Sequence, residues 1–235
     1  CALRDQQRFD EAIDALRPAI ERSPENAMLW NTLGTVLSEK GDPAGAQTFF
    51  DEALRVDPGF AKARYNRGNS RLALGALDLA LDDCDRAISQ TAAPDARAMM
   101  RLARSTIQIA RGQIRDGWTE YQARLDPNFA AATHFVVDRP AWTPGADLSG
   151  KSLLLMGEQG LGDEVLFANF IPDLIERLGP AGRLAIAVEP RLIPLFSRAF
   201  PTATVSAHAT FTAEGRTFRT APFIADGTGI DLWAP

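Results

Sequence analysis

The sequence predicts an α-helical solenoid of repeated helix pairs followed by an α/β segment, and three patterns in its 235 residues carry that expectation. Small and apolar residues recur at one step: Ala12, Ala46 and Ala80 are 34 apart, as are Leu16, Phe50 and Cys84, then Ala19, Ala53 and Ala87, with Pro24 and Pro58 on the same step. Between Asp126 and Gly150 the helical period stops and Pro127, Pro140, Pro144 and Gly145 accumulate, the punctuation of an irregular connection. Beyond it, short apolar runs alternate with amphipathic ones, as in a parallel sheet covered by helices.

A period of about 34 residues with small, aromatic, small and proline in this order is the tetratricopeptide pattern, whose concave face usually holds another polypeptide. One repeat carries the full signature, Trp30, Leu33, Gly34, Leu37, Ala46, Phe50, Ala53 and Pro58. Gly34 and Ala46 are small enough for two helices to touch, while Trp30, Leu37 and Phe50 fill the space around the contact. Gly41 ends the first helix, Asp42 caps the second, Pro43 fits its first turn and Pro58 stops it. A third repeat runs from Ala61 with Gly68, Gly75 and Ala80, and a fourth is displaced, with Gly112 and Tyr121 each 37 residues after Gly75 and Cys84. The three extra residues are expected in the loop around Thr91 to Ala96. The organisation predicted is therefore repeats over 1–125, the first one truncated, a connector over 126–150 and an incomplete α/β domain over 151–235. Cys1 falls mid-helix in the first repeat, which suggests that the natural start is missing.

The net charge of −5 divides into −3 for residues 1–150 and −2 beyond, so neither part has the basic excess of a phosphate-binding nucleic-acid protein. Cys1 and Cys84 are too few for a disulfide framework. No apolar run approaches membrane-spanning length or resembles a signal peptide, which favours a reducing cytoplasm with neither membrane nor nucleic acid as partner.

Ser152 to Met156 reads as a buried parallel strand, Asp163 to Leu178 as one helix, Leu184 to Val188 as a second strand, Arg191 to Ala199 as a helix started or interrupted by Pro194, and Thr204 to Ala207 as a third strand. This is the opening half of a doubly wound, Rossmann-like sheet. Phe211 to Pro235 has no assignable pattern. The turn Gly157-Glu158-Gln159-Gly160-Leu161-Gly162-Asp163 leaves the first strand at the carboxyl edge, where such folds bind ligands. Its glycines match neither the dinucleotide fingerprint nor a P-loop, and on spacing alone a plain tight turn explains them.

The string PAWTPGADLSGKSLLLMGEQGLGDEVLFANFIPDL resembles the bacterial tetratricopeptide glycosyltransferases, whose catalytic part is similar to the heptosyltransferases and more distantly to the O-linked N-acetylglucosamine transferases. Gly117-Trp118-Thr119-Glu120-Tyr121-Gln122-Ala123-Arg124 matches the segment that closes the repeats in that family, except that Gln122 stands where Glu is usual. Pro140, Trp142, Leu148, Gly150 and Lys151 match its lead-in, and EPRLIPLFSRAFP the stretch after its second strand. The resemblance implies a glycosyltransferase of the two-Rossmann-domain (GT-B) type, transferring sugar from a nucleotide donor to a protein acceptor without a required metal, flagellin being one such acceptor. It implies Asp163 as general base and Glu158, Gln159, Gly160 and Gly162 as the acceptor-side turn. It also implies that the donor-binding half lies beyond the DLWAP end, so that these residues bind no cofactor themselves and transfer nothing alone. From its position, Asp163 could equally cap its helix. His134 and His208 match no motif and receive no role.

In the groove of the solenoid, the numbering set by Trp30 exposes Met28, Asn31, Thr35, Ser38 and Glu39, then Lys62, Tyr65, Asn66, Asn69 and Ala73. Asparagine amides both donate and accept and can hold a peptide main chain whatever its sequence, which singles out Asn31, Asn66 and Asn69 beside Thr35 and Lys62. Arg64, Arg67 and Arg71 replace the apolar residues of the preceding repeat, and Arg97, Arg101, Arg104, Arg111 and Arg115 continue the stripe. An acidic partner or local pairing with Asp51, Glu52, Asp82, Asp83 or Asp85 would both account for it. A non-catalytic adaptor carrying a degenerate transferase remnant is the alternative to an enzyme.

Overall fold

The computed structural model describes residues 2–224 and 229–235. The chain divides into two compact units between Ala130 and Ala131. Cys1 lies outside the described residues, as do 225–228 of the unassigned tail.

The first unit is helical: α1 (Ala2–Asp5), α2 (Phe9–Arg22), α3 (Ala27–Glu39), α4 (Pro43–Val56), α5 (Ala61–Ala73), α6 (Leu77–Gln90), α7 (Pro94–Ala110), α8 (Ile114–Tyr121) and a 3-10 turn over Gln122–Leu125. Helices α3 and α4, α5 and α6, and α7 and α8 form packed pairs. The signature residues act as their chemistry requires. A Cβ on Gly34 would stand 2.7 Å from the Phe50 ring, and one on Gly68 would stand 3.3 Å from the Ala80 carbonyl oxygen, so both glycines mark close helix approaches. Gly41, Gly75 and Gly112 take φ values of 97°, 74° and 79° just past α3, α5 and α7, the left-handed stop that glycine adopts at no steric cost. Asp42 Oδ1 accepts the Gly45 N–H at 2.8 Å with Pro43 opening α4. The Trp30 indole N–H donates to the Pro24 carbonyl at 2.7 Å, tying α3 to the turn that precedes it. The extra residues of the fourth repeat are not in a loop. Pro94 opens α7, which has 17 residues against 13 in α5, so the insertion became an additional helical turn.

In the second unit, β2 (Ser152–Met156), β3 (Arg183–Val188), β4 (Thr204–Ala207) and β7 (Leu232–Ala234) form a parallel sheet in the order β4-β3-β2-β7. The pleat sends Leu153, Leu184, Ile186 and Val188 into one core with Ile171, Leu178 and Phe196, and Leu154, Met156, Ala185 and Ala187 into a second core with Ala221. The expected helix from Asp163 to Leu178 is broken: α9 (Leu161–Phe167) passes through a 3-10 turn at Ala168–Phe170 into α10 (Ile171–Leu178), where Pro172 fits the first turn. Pro194 likewise falls in the first turn of α11 (Ile193–Ala199), after a 3-10 turn at Pro190–Leu192.

Of the segment read as a connector, residues 131–150 belong to this unit. Its β1 (Thr133–Phe135) runs parallel to β6 (Arg216–Thr220), which pairs antiparallel with β5 (Ala209–Ala213). Trp142 donates its backbone N–H to the Trp233 carbonyl at 2.7 Å. The unassigned tail thus supplies a hairpin, turned by Glu214 and Gly215 at φ 51° and 72°, and the edge strand β7.

Candidate functional sites at the repeat groove and the sheet edge

On the groove, α3 and α5 bring Asn31, Thr35 and Asn66 together. The Asn66 amide donates to Asn31 Oδ1 at 2.9 Å and to Thr35 Oγ1 at 3.3 Å, and the Thr35 hydroxyl donates to the Asn31 carbonyl at 2.9 Å. Asn31, expected to be exposed, is only 6% accessible because this network draws it inward. Both Asn66 amide hydrogens are spent, which leaves its Oδ1 to accept and the Asn31 amide to donate. Asn69 is half-buried and its side chain bonds to no described residue. Lys62 is exposed, with its ammonium 4.9 Å above the centre of the Tyr65 ring and 3.9 Å from the Met99 sulfur. These helices therefore offer the free groups of the Asn31, Asn66 and Asn69 carboxamides and one cation.

Most of the arginine stripe pairs locally. Asp83, fully buried, accepts from Arg67 Nε at 2.8 Å and from Arg71 Nη1 at 2.7 Å, while Arg67 Nη1 also reaches Asp51 at 2.6 Å. The Asp83 hydrogen bond holds the Arg67 guanidinium well above its ordinary proton affinity, outweighing burial. Arg101 and Arg104 converge on Glu120, Arg104 reaches Asp85 at 2.9 Å and Arg111 reaches Asp78 at 2.5 Å. Carboxylates of the repeats neutralise these charges, while Arg97, among the described residues, donates only to the Thr91 carbonyl at 2.8 Å.

At the carboxyl edge of the parallel sheet, the turn after β2 is capped by Gly160, not by Asp163. Asp163 is the third residue of α9, half-buried, and its side chain makes no hydrogen bond to a described residue, so the capping role falls away. Glu158 is half-buried and Gln159 exposed on the same turn. Cβ atoms at Gly160 and Gly162 would meet nothing closer than 3.8 Å and 4 Å, so these two glycines are not demanded by space. Gly157 is: a Cβ there would stand 2.5 Å from Glu164 Cδ.

Glu164 and His208 are the residues that the sequence did not disclose. The Glu164 side chain is 4% exposed and that of His208 8%, with Oε1 and Nε2 3.2 Å apart. Glu164 Oε2 accepts the Glu189 N–H at 2.9 Å, and the His208 N–H donates to the Val188 carbonyl at 3.0 Å. One carboxylate, on the helix that follows β2, thus bonds residues just past β3 and β4. His208 Nδ1 is buried without a partner among the described residues. Arg219, 9% accessible on β6, donates Nη1 to the Gly157 carbonyl and Nε to Thr210 Oγ1 at 3.1 Å. Burial lowers its proton affinity against the opposing charges of Glu164 and Glu158. His134 Nε2 is likewise buried and unpartnered, beside Phe218 on the outer sheet.

The family model for a tetratricopeptide repeat matches residues 1–46 and 31–97. The chain carries tetratricopeptide repeats. Such repeats support a role in binding other proteins. Protein FlbA of Caulobacter vibrioides is 50% identical over 234 residues, which is 100% of this chain and 39% of that protein. The chain therefore spans about two fifths of the length of this relative. The peroxisomal targeting signal receptor of Candida albicans is 36% identical over 69 residues, 29% of this chain and 12% of the receptor. Among solved structures, MamA is similar at 21% identity and a TM-score of 0.48, with 55% of this chain and 75% of that chain covered. No described helix is long and apolar enough to cross a membrane.

Proposed function

We propose that the repeats bind an acceptor polypeptide along α3 and α5, and that the α/β unit is the acceptor-side part of a nucleotide-sugar-dependent protein glycosyltransferase. The observation that carries the first half is the Asn31–Asn66–Thr35 network, which fixes two carboxamides at the groove with one donor and one acceptor left over. An extended main chain presents that pair at every residue, so side chains of the partner need not be read. Asn66→Ala together with Asn69→Ala is expected to weaken binding of the acceptor at least tenfold with the helical fold intact. Unchanged affinity would place the contact elsewhere.

The second half rests on the resemblance of the EQGLGDE turn and its Trp142 and Lys151 lead-in, and on a parallel sheet whose strand order reverses between β2 and β7. In such sheets, ligands bind outside the carboxyl ends at the point of reversal. Asp163, half-buried and without a hydrogen bond to any described residue, is available there as a proton acceptor. The donor is a nucleotide sugar, held mainly by residues outside this chain, and flagellin is the acceptor to test first. These 235 residues alone should bind acceptor without transferring sugar, because one sheet edge encloses only half of a cleft. Mass spectrometry of flagellin and of other proteins from cells with and without the full-length gene tests the transferase reading. Identical masses would favour the adaptor, a reading supported by the confinement of the family match and of the receptor similarity to part of the chain.

A further inference from the structure

The carboxyl edge holds an ionisable pair that the reading above leaves unused. Glu164 and His208 come from the helix after β2 and the link after β4, and both side chains are more than nine-tenths buried. A carboxylate only accepts, so the 3.2 Å contact places the imidazole hydrogen on Nε2 and leaves Nδ1 as a bare lone pair. That lone pair has no partner among the described residues, and a buried acceptor without a donor is a costly arrangement in a fold that satisfies nearly all of its polar atoms. The arrangement is built into the chain at Gly157, since any side chain there would collide with the Glu164 carboxyl. Arg219 lies close enough for its charge to be felt, but it binds the Gly157 carbonyl and makes no ion pair with Glu164, which leaves the carboxylate to orient His208.

We propose that His208, oriented by Glu164, is the catalytic group that takes the proton of the acceptor hydroxyl. This rests on the transferase reading and moves the base from Asp163 to the imidazole. The serine or threonine oxygen bonds to the anomeric carbon of the nucleotide sugar as the bond from that carbon to the diphosphate oxygen breaks. The electron pair leaves with the nucleoside diphosphate, the hydroxyl proton passes to Nδ1, and the resulting imidazolium is balanced by the Glu164 carboxylate. Nδ1 is covered in the unliganded chain, so the acceptor reaches it only by displacing what lies over it.

The test uses the full-length protein, with lysate of a strain lacking it as acceptor, purified flagellin in parallel, and the nucleotide-sugar extract of the same cells as donor. His208→Gln keeps a donor for Glu164 but has no proton acceptor at Nδ1. It should lower the transfer rate by about 10²–10⁴-fold, with melting temperature and acceptor affinity near wild type. Wild-type transfer with His208→Gln within tenfold of it overturns the inference and leaves the transferase reading standing. No wild-type transfer to any protein overturns both. Should His208→Gln fail to fold, nitrogen NMR of the wild-type imidazole decides: a hydrogen on Nε2 supports the assignment, and a hydrogen on Nδ1 overturns it.

Discussion

Replacing Asp83 by alanine tests whether the arginine stripe is structural. Asp83 is fully buried on α6 and is the ion-pair partner of Arg64, Arg67 and Arg71, whose side chains are only 11%, 15% and 16% exposed. Removing one member of a buried ion pair leaves the others uncompensated and costs about 3–5 kcal/mol. Arg67 keeps Asp51, whose carboxylate is 57% exposed, but Arg71 has no other ion-pair partner among the described residues and its Nε is already unsatisfied. The expected loss is therefore toward the lower end, about 3 kcal/mol. With an unfolding entropy of about 2.1 cal/mol/K per residue, a unit of roughly 130 residues melts with about 0.27 kcal/mol/K, and the shift is about 11 °C. Calorimetry of the purified chain reads it, because the transition of the second unit provides an internal reference. Adding Arg71→Ala should cost less than the two single losses combined, since the stranded cation goes with its carboxylate. A shift below about 3 °C for Asp83→Ala would refute the reasoning and return the stripe to the surface, open to an acidic partner.

Two further outcomes follow from titrating groups in the repeats. Burial alone would raise Glu120, but hydrogen bonds and charge from Arg101 and Arg104 outweigh it and hold the carboxyl below its ordinary 4.5. A depressed carboxyl contributes stability above the unfolded value and loses it as pH falls through the folded value. The melting temperature of Glu120→Gln should therefore fall below wild type at neutral pH and converge with it only in acid, below the ordinary carboxyl value, as thermal melts across pH will show. Burial pushes the Cys84 thiol up to about 12, so in a Cys1→Ser background iodoacetamide at pH 8 should leave the native protein unlabelled and label it once it is unfolded in urea. Labelling at the rate of a free thiol in the native state would contradict that burial.

The repeats were legible because each signature residue answers a local demand that recurs every 34 residues: a stop at Gly41, a cap at Asp42, an approach at Gly34. The three extra residues near Pro94 misled because proline suits the first turn of a helix as well as a loop. Three parallel strands were visible as apolar runs. Strands β1, β5 and β6 were not, since THF, ATFTA and RTFRT are short and largely accessible, with little alternation to read. Asp163 was found by motif, and its neighbour was passed over because a second carboxylate in a helical first turn ordinarily signals only favourable placement near the amino end. His208 had no signal at all. Its partner lies 44 residues away and meets it only once β2 and β4 have joined the same sheet.

Asp163 and Glu164 divide the work of one turn because successive helical residues point about 100° apart. One carboxylate makes no hydrogen bond to a described residue, and the other bonds residues just past β3 and β4. Gly157→Ala separates the two. A Cβ there stands 2.5 Å from Glu164 Cδ and reaches no atom of Asp163 among its three nearest contacts, so the buried carboxyl must swing away while the half-buried one stays. Overpacking of this kind costs about 1–3 kcal/mol, enough to lower the melting temperature of the second unit without abolishing its fold. The imidazole signals of His208 should then lose their fixed tautomer, because the acceptor that holds hydrogen on Nε2 has moved. A Gly157→Ala variant with wild-type stability and an unchanged His208 spectrum would mean that the carboxyl tolerates the methyl group. The glycine would then serve only the turn, and the Glu164–His208 pair would not depend on it.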